Sequence, residues 1–347
     1  MNTRTRFIAA VSAALVVAAA VTGALATSGK AAQRAAIRVA VVTDIGSLND
    51  KGFNALSAVG LQRAENKLGV DGRIFITQTA ADRQPNLVAA AQQGYDLVFG
   101  VGVLFAFGPL PTVAKAFPNT MFAGIDVAQS DMGTTPIPNV RGIQFKEQEA
   151  GCLVGNIAAL EMLREKRNTI SAVGANKVPA IVRYIAGYKY CAQRVSKNIR
   201  VLVNYANDPT FADQAKCRAT ALSQIARGSH VVFQVAGQCG LGALDAAKSK
   251  GVWGIGVDAD QSFLGPHILT SARKRVDQAV FDTIKEYMAD PKGFKGGIDK
   301  TYDLKNQGVG FGKLSPKLPA SVRAAFGKST NALARLIIQG KVTPPAQ

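Results

Sequence analysis

The residues of this chain best suited to chemistry are acids and amides that follow short apolar runs. Asp44, Asn49 and Asp50 come after the run 37–43, Asp126 comes after 121–125, and Asp258 and Asp260 close 252–257. Such carboxylates can act as general acids and bases, or accept hydrogen bonds from ligand hydroxyl groups. They are also common caps and turn residues. Other chemistries lack their parts. His230 and His267 stand in no catalytic motif, and Cys152, Cys191, Cys217 and Cys239 form no C-x-x-C pair, so a structural zinc site lacks its ligand spacing. The glycines at 100–102 and 237–242 do not spell G-x-G-x-x-G, and neither a phosphate loop nor a G-x-S-x-G elbow is present. We expect no catalytic residue, no metal and no cofactor.

The elements that must position these acids alternate in type. β-branched runs at 37–43, 72–77, 97–101 and 121–125 predict strands, separated by helical spacing over 54–68, 85–93 and 109–117. A second series follows, with strands at 170–174, 200–204, 230–235 and 252–257 and helices at 149–164, 180–195, 212–226 and 242–249. Repeated βα units with short connections predict parallel sheets covered by helices on both faces. Two series of similar size predict two α/β lobes, 37–145 and 146–265. The remainder is expected to pack back, about 266–292 on the first lobe and about 293–347 on the second. Ligands of open parallel sheets bind beyond the C-terminal ends of the strands. The acids of both series fall there.

Length and composition bound the class. A chain of 347 residues with 48% hydrophobic and 18% charged residues can bury one large core or two medium ones, and is not disordered. Its opening has Arg4 and Arg6, then an apolar stretch from Phe7 to Val21, then small residues to Ala26. That pattern predicts a secretory signal peptide over 1–26. The leader contains no cysteine, so the expected product is a free, soluble protein, periplasmic or extracellular, with no stable membrane insertion after cleavage. Its four cysteines allow three full pairings. Net charge is +18, and removing Arg4 and Arg6 leaves 18 − 2 = +16. The basic residues are scattered and no nucleic-acid motif is present, so the charge reads as a solvated surface.

Several stretches carry a family resemblance. Asp44-x-Gly-x-x-Asn-Asp-Lys-Gly-Phe53-Asn54 resembles the opening signature of the basic membrane protein family, substrate-binding proteins of ABC importers with a purine-nucleoside receptor branch. Residues 149–155, 186–188, 232–242, 255–261 and 269–275 agree with it in order, over roughly 37–315. The resemblance implies a two-lobed periplasmic-binding-protein-like fold of type I and a nucleoside as ligand. It also implies ABC permease and ATPase subunits as partners, and a monomer that is not an enzyme. It places Phe53 and Tyr188 on either side of the base, Asp44, Asn49 and Asp126 at the base edge, and Gly237, Asp258 and Lys274 on the ribose. This chain departs from the family pattern at Asn49, where an acid is usual, at Gly52, where Ser is usual, and at Tyr188, where Phe is usual. Two other readings of the same acids are an exported nucleoside-processing hydrolase, and a sensor or adhesion protein of the same fold.

Overall fold

The computed structural model describes residues 36–347, so the signal peptide expected over 1–26 lies outside the described residues. The first half alternates β1 (Arg38–Val42), α1 (Phe53–Leu68), β2 (Asp71–Phe75), α2 (Arg83–Gln92), β3 (Leu97–Val101), α3 (Pro109–Ala116), β4 (Met121–Ile125) and β5 (Val140–Phe145). The second continues with α4 (Glu147–Arg164), β6 (Thr169–Gly174), α5 (Pro179–Val195), β7 (Arg200–Tyr205), α6 (Gln214–Ala226), β8 (Val231–Val235), α7 (Cys239–Ser249), β9 (Trp253–Asp258) and β10 (Ile268–Lys274). Then come α8 (Val276–Ala289), β11 (Ile298–Tyr302), β12 (Val309–Phe311) and α9 (Ala320–Ile338).

The strands form two sheets, ordered β11-β5-β4-β3-β1-β2 and β12-β10-β9-β8-β6-β7. Every pairing is parallel except β12 on β10. The central strands are wholly buried, as Leu97–Val101 and Val231–Val235 show, because helices cover both faces. The two-lobed α/β architecture is therefore the one the alternation predicts.

The C-terminal segment departs from the expectation at two strands, β10 and β11. β10 joins the second sheet, α8 packs on α1, β11 extends the first sheet, and β12 and α9 return to the second unit beside α4. The chain thus passes between sheets at 145–147, at 274–276 and at 302–309. Those passages run beside one another, through the Lys146 N–H to the Tyr302 carbonyl and the Arg275 N–H to the Gly308 carbonyl, and two of them carry residues of the site.

Helix α4 lies against α5 along a glycine seam. A Cβ on Gly151 would fall 2.1 Å from the Tyr184 carbonyl oxygen, and one on Gly155 would fall 2.2 Å from that of Tyr188. The two helices can approach this closely only without side chains there. Residues 149–155 and 186–188, two of the stretches that carry the family resemblance, are thus packing motifs. A disulfide between Cys152 and Cys191 joins the same pair of helices, and one between Cys217 and Cys239 joins α6 to the start of α7. The Cys217–Cys239 link closes a loop of sequence separation 22, worth about 3 kcal/mol in the chain-entropy picture. Cys217→Ser with Cys239→Ser is therefore expected to lower stability by about that amount in urea unfolding at neutral pH, with a steeper slope as the unfolded chain expands.

Candidate ligand-binding site

The C-terminal strand ends of the two sheets face each other across a cleft. Asp44 follows β1, Gly102 follows β3 and Asp126 follows β4; opposite them stand Gly237 after β8, Asp258 at the end of β9 and Lys274 at the end of β10. The sheet orders match position for position, so β4 and β9 are equivalent strands. Asp126 and Asp258 close those strands, and both have φ of 61°, a region that non-glycine residues seldom enter. Strain at two equivalent acids, both turned to the same cleft, marks a functional site.

Lys274 is the hub of the electrostatics. It is 2% exposed, and its Nζ donates to Asp126 Oδ2 at 2.6 Å and to Glu147 Oε1 at 3.3 Å, with Asp258 Oδ1 at 4.0 Å. Glu147, at the start of α4, also accepts from Arg183 Nε at 2.6 Å. The ammonium stands 4.8 Å from the centre of the Phe53 ring. Burial works against the Lys274 charge, yet Asp126, Glu147 and Asp258 together hold it above the usual lysine range. Burial likewise pushes the Asp258 carboxyl up to about 7, against the pull of the Lys274 ammonium and the Tyr184 hydroxyl. Tyr184 donates to Asp258 Oδ1 at 3.1 Å. Asp126 Oδ1 is buried without a partner among the described residues, so it can take a donor from a ligand.

At the other end of the cleft, Asp44 pairs with Arg83 at 2.7 Å. Burial raises the Asp44 carboxyl above its ordinary value, and the Arg83 guanidinium opposes that rise. Asp44 and Asp126 end β1 and β4 with β3 between them, which sets them about 10 Å apart at the usual strand spacing. The cleft therefore has two polar ends with apolar walls between them.

Of the residues singled out in the sequence, Asp44, Phe53, Asp126, Gly237, Asp258 and Lys274 line the cleft. Asn49 and Tyr188 do not. Asn49 is exposed, and its N–H donates to Ser47 Oγ at 3.1 Å. Its neighbour Asp50 reaches the cleft instead, but its carboxylate is engaged by the N–H groups of Gly52, Asn54 and Ala55 at the start of α1. Tyr188 is fully buried and packs on Phe233, with ring centroids 5.0 Å apart. The reason is helical geometry. Tyr184 and Tyr188 share one face of α5 a turn apart, and the residue nearer the helix N-terminus lies nearer the strand C-termini. That residue is Tyr184.

Phe211 also lines the cleft and was missed in the sequence. It lies between β7 and α6, with φ of 57° and its carbonyl accepting the Cys239 N–H. A Cβ on Gly237 would fall 3.3 Å from the Phe211 carbonyl oxygen and 3.5 Å from its Cβ, so Gly237 supports this aromatic from behind. The sequence signal was an aromatic two residues before Asp213, which caps α6 through the Lys216 N–H. Arg83 and Glu147, which hold the carboxylate and the ammonium in place, were missed because each lies at the start of a helix rather than after a strand.

A family model described as ABC transporter substrate-binding protein PnrA-like matches residues 37–343. The chain belongs to this family. It is thus a substrate-binding protein of the ABC-transporter type and not an enzyme, as the resemblance implied. The nucleoside-binding protein BmpA of Lactococcus lactis is 33% identical, with 92% of each chain covered. A Pyrococcus abyssi protein described as an uncharacterized lipoprotein is 33% identical over 79% of this chain and 69% of its own. A solute-binding protein of an ABC transporter system from Aeropyrum pernix shares the fold, with TM-score 0.78, 28% identity and coverage of 90% of this chain and 94% of its own.

Proposed function

We propose that this PnrA-like protein captures a nucleoside, with purine nucleosides favoured, between its two lobes and delivers it to an ABC permease and ATPase. The observation that carries the reading is Asp258, a buried carboxylate held by Tyr184 and facing a cleft whose walls include one aromatic from each lobe, Phe53 and Phe211. Those two rings, rather than Phe53 and Tyr188, stack on the base. Stacking contributes about 1–3 kcal/mol per ring by alanine substitution and accepts any base. Asp258 accepts from the ribose hydroxyls, each charge-assisted bond adding about 1.5–3 kcal/mol. Together these reach the roughly 8 kcal/mol of a micromolar complex. The name of the Lactococcus relative supports the same ligand class.

We place the protein outside the cytoplasm and working as a monomer. Two disulfides suit an oxidising compartment, and the basic, apolar N-terminal stretch suits export. Among the described residues no helix is long and apolar enough to cross a membrane.

Titration calorimetry tests the ligand class. Ribonucleosides are expected to bind, while 2′,3′-dideoxynucleosides and free bases bind at least ten-fold more weakly, because a buried carboxylate is left unpaired. Adenosine monophosphate is also expected to bind more weakly than adenosine, since Asp44, Asp126 and Asp258 repel a phosphate. No heat with any ribonucleoside would end the nucleoside reading. Equal affinity for the dideoxy forms would end the role of Asp258.

A further inference from the structure

Resting on the nucleoside reading, one feature of the first lobe bears on which base is taken. Arg83 opens α2 and is 7% exposed. Its Nε reaches Asp44 Oδ1 at 2.8 Å and its Nη2 the same atom at 2.7 Å. The Ile45 N–H donates to that oxygen as well, at 2.8 Å. Asp44 Oδ1 therefore holds all the donors the protein supplies. Among the described residues Oδ2 accepts none, and it stands against Gly102 on the cleft wall, where a Cβ would come within 2.9 Å of it. The backbone beneath is fixed as well. The Asn54 side-chain oxygen accepts the Asp44 N–H, and its amide donates to the carbonyls of Asp44 and Ile45. The carboxylate thus cannot turn without breaking a buried ion pair, and it offers the cleft one oriented acceptor oxygen.

We propose that Arg83 is the positioning residue that sets base preference: by holding Asp44 as a fixed acceptor, it selects a heterocycle whose edge presents N–H donors. A lactam purine presents its ring N–H there, and guanine adds the neighbouring amino group. Adenine presents an amino group beside a ring nitrogen whose lone pair faces the carboxylate. The order of affinity is therefore guanosine, then inosine, then adenosine. Arg83 does not line the cleft, so it acts through Asp44 and not by touching the base.

The experiment is calorimetry of the full chain with guanosine, inosine and adenosine, on the wild type and on Arg83→Met, Arg83→Lys and Asp44→Asn. The wild type is expected to prefer guanosine over adenosine by about ten-fold or more. Arg83→Met should weaken guanosine about ten- to hundred-fold and bring the guanosine-to-adenosine ratio towards one. Arg83→Lys, which keeps a cation at the same place, should restore most of the preference. Asp44→Asn keeps its oxygen on Arg83 and the Ile45 N–H and turns an N–H donor to the cleft, which suits the lone pair of the adenine ring nitrogen, and should reverse the order. A parallel loss for all three nucleosides in Arg83→Met would make Arg83 a merely structural residue and overturn the proposal. So would a wild type that binds the three equally, in which case the nucleoside reading stands and this one falls. A wild type that binds none of them ends both. Should Arg83→Met fail to fold by circular dichroism, Arg83→Lys and Asp44→Asn still decide: an unchanged preference in Asp44→Asn overturns the proposal.

Discussion

Lys274→Met is expected to lose about 3–5 kcal/mol of folding stability at pH 7.5, the typical cost of removing one partner from a buried ionic cluster. The side chain is 2% exposed and touches carboxylates of both lobes, Asp126 and Glu147 directly and Asp258 at 4.0 Å. Without it, Glu147 keeps Arg183 and Asp258 keeps Tyr184, but Asp126 loses the donor to Oδ2 and already has none for Oδ1. The variant must then bury Glu147 and Asp258, whose carboxyls burial already raises, without the ammonium that opposes that rise, or protonate them. Protonation gives the prediction its sign. Acids whose folded-state pKa rises above the unfolded value destabilise the fold at high pH, and the penalty is relieved as pH falls through the folded value. The difference between wild type and variant in urea unfolding should therefore shrink from pH 7.5 to pH 5. A gap of the same size at both pH values would mean that Lys274 acts through packing alone.

Much of this arrangement can be read from the chain because parallel strands covered on both faces must be continuously apolar. Val39 to Val42 and Leu97 to Val101 satisfy that rule, and Asp44 and Gly102, which follow them in sequence, fall at the cleft. The strands that escape the rule do so for physical reasons. β5 carries Arg141 inside the first sheet, where it is satisfied by Glu286 and the Lys295 carbonyl. β10 reads Ile-Leu-Thr-Ser-Ala-Arg-Lys, and its polar end is polar because Ser271 bonds Gln261 and Lys274 serves the site. A strand that supplies function loses the hydropathy that would reveal it. The aromatic walls were only half legible. Phe53 sits beside a recognisable loop, whereas choosing among Tyr184, Tyr188 and Phe211 requires knowing which turn of α5 meets the strand ends and how the 206–213 loop folds back. Pairing the cysteines is a question of the same type, since Cys152 and Cys191 meet only because a glycine seam lets α4 and α5 touch.

Ribonucleoside affinity is expected to weaken as pH falls through 7, with Asp258 as the group responsible. Burial sets its carboxyl at about 7 in the protein without ligand. The ionised form accepts from two ribose hydroxyls; the protonated form has given up one acceptor site and its charge. Binding favours the ionised form, so below pH 7 it must release a proton, and the dissociation constant rises by up to ten-fold per pH unit. Between pH 7.5 and 5.5 that amounts to at most roughly 25-fold. Asp44, whose carboxyl is also raised by burial, acts in the same direction but on the base. A 2′,3′-dideoxynucleoside keeps the base and loses the hydroxyls, so the difference between its pH profile and that of the ribonucleoside isolates Asp258. Asp258→Asn should flatten that difference and weaken the ribonucleoside by about 2–5 kcal/mol, the range for truncating one member of a buried charged hydrogen-bonded set. The Lys274 contacts to Asp126 and Glu147 remain in this variant, so the site keeps its shape while losing its acceptor. An affinity that rises on acidification would mean that the protonated carboxyl is the form that binds, with Asp258 donating to a sugar oxygen instead of accepting from it.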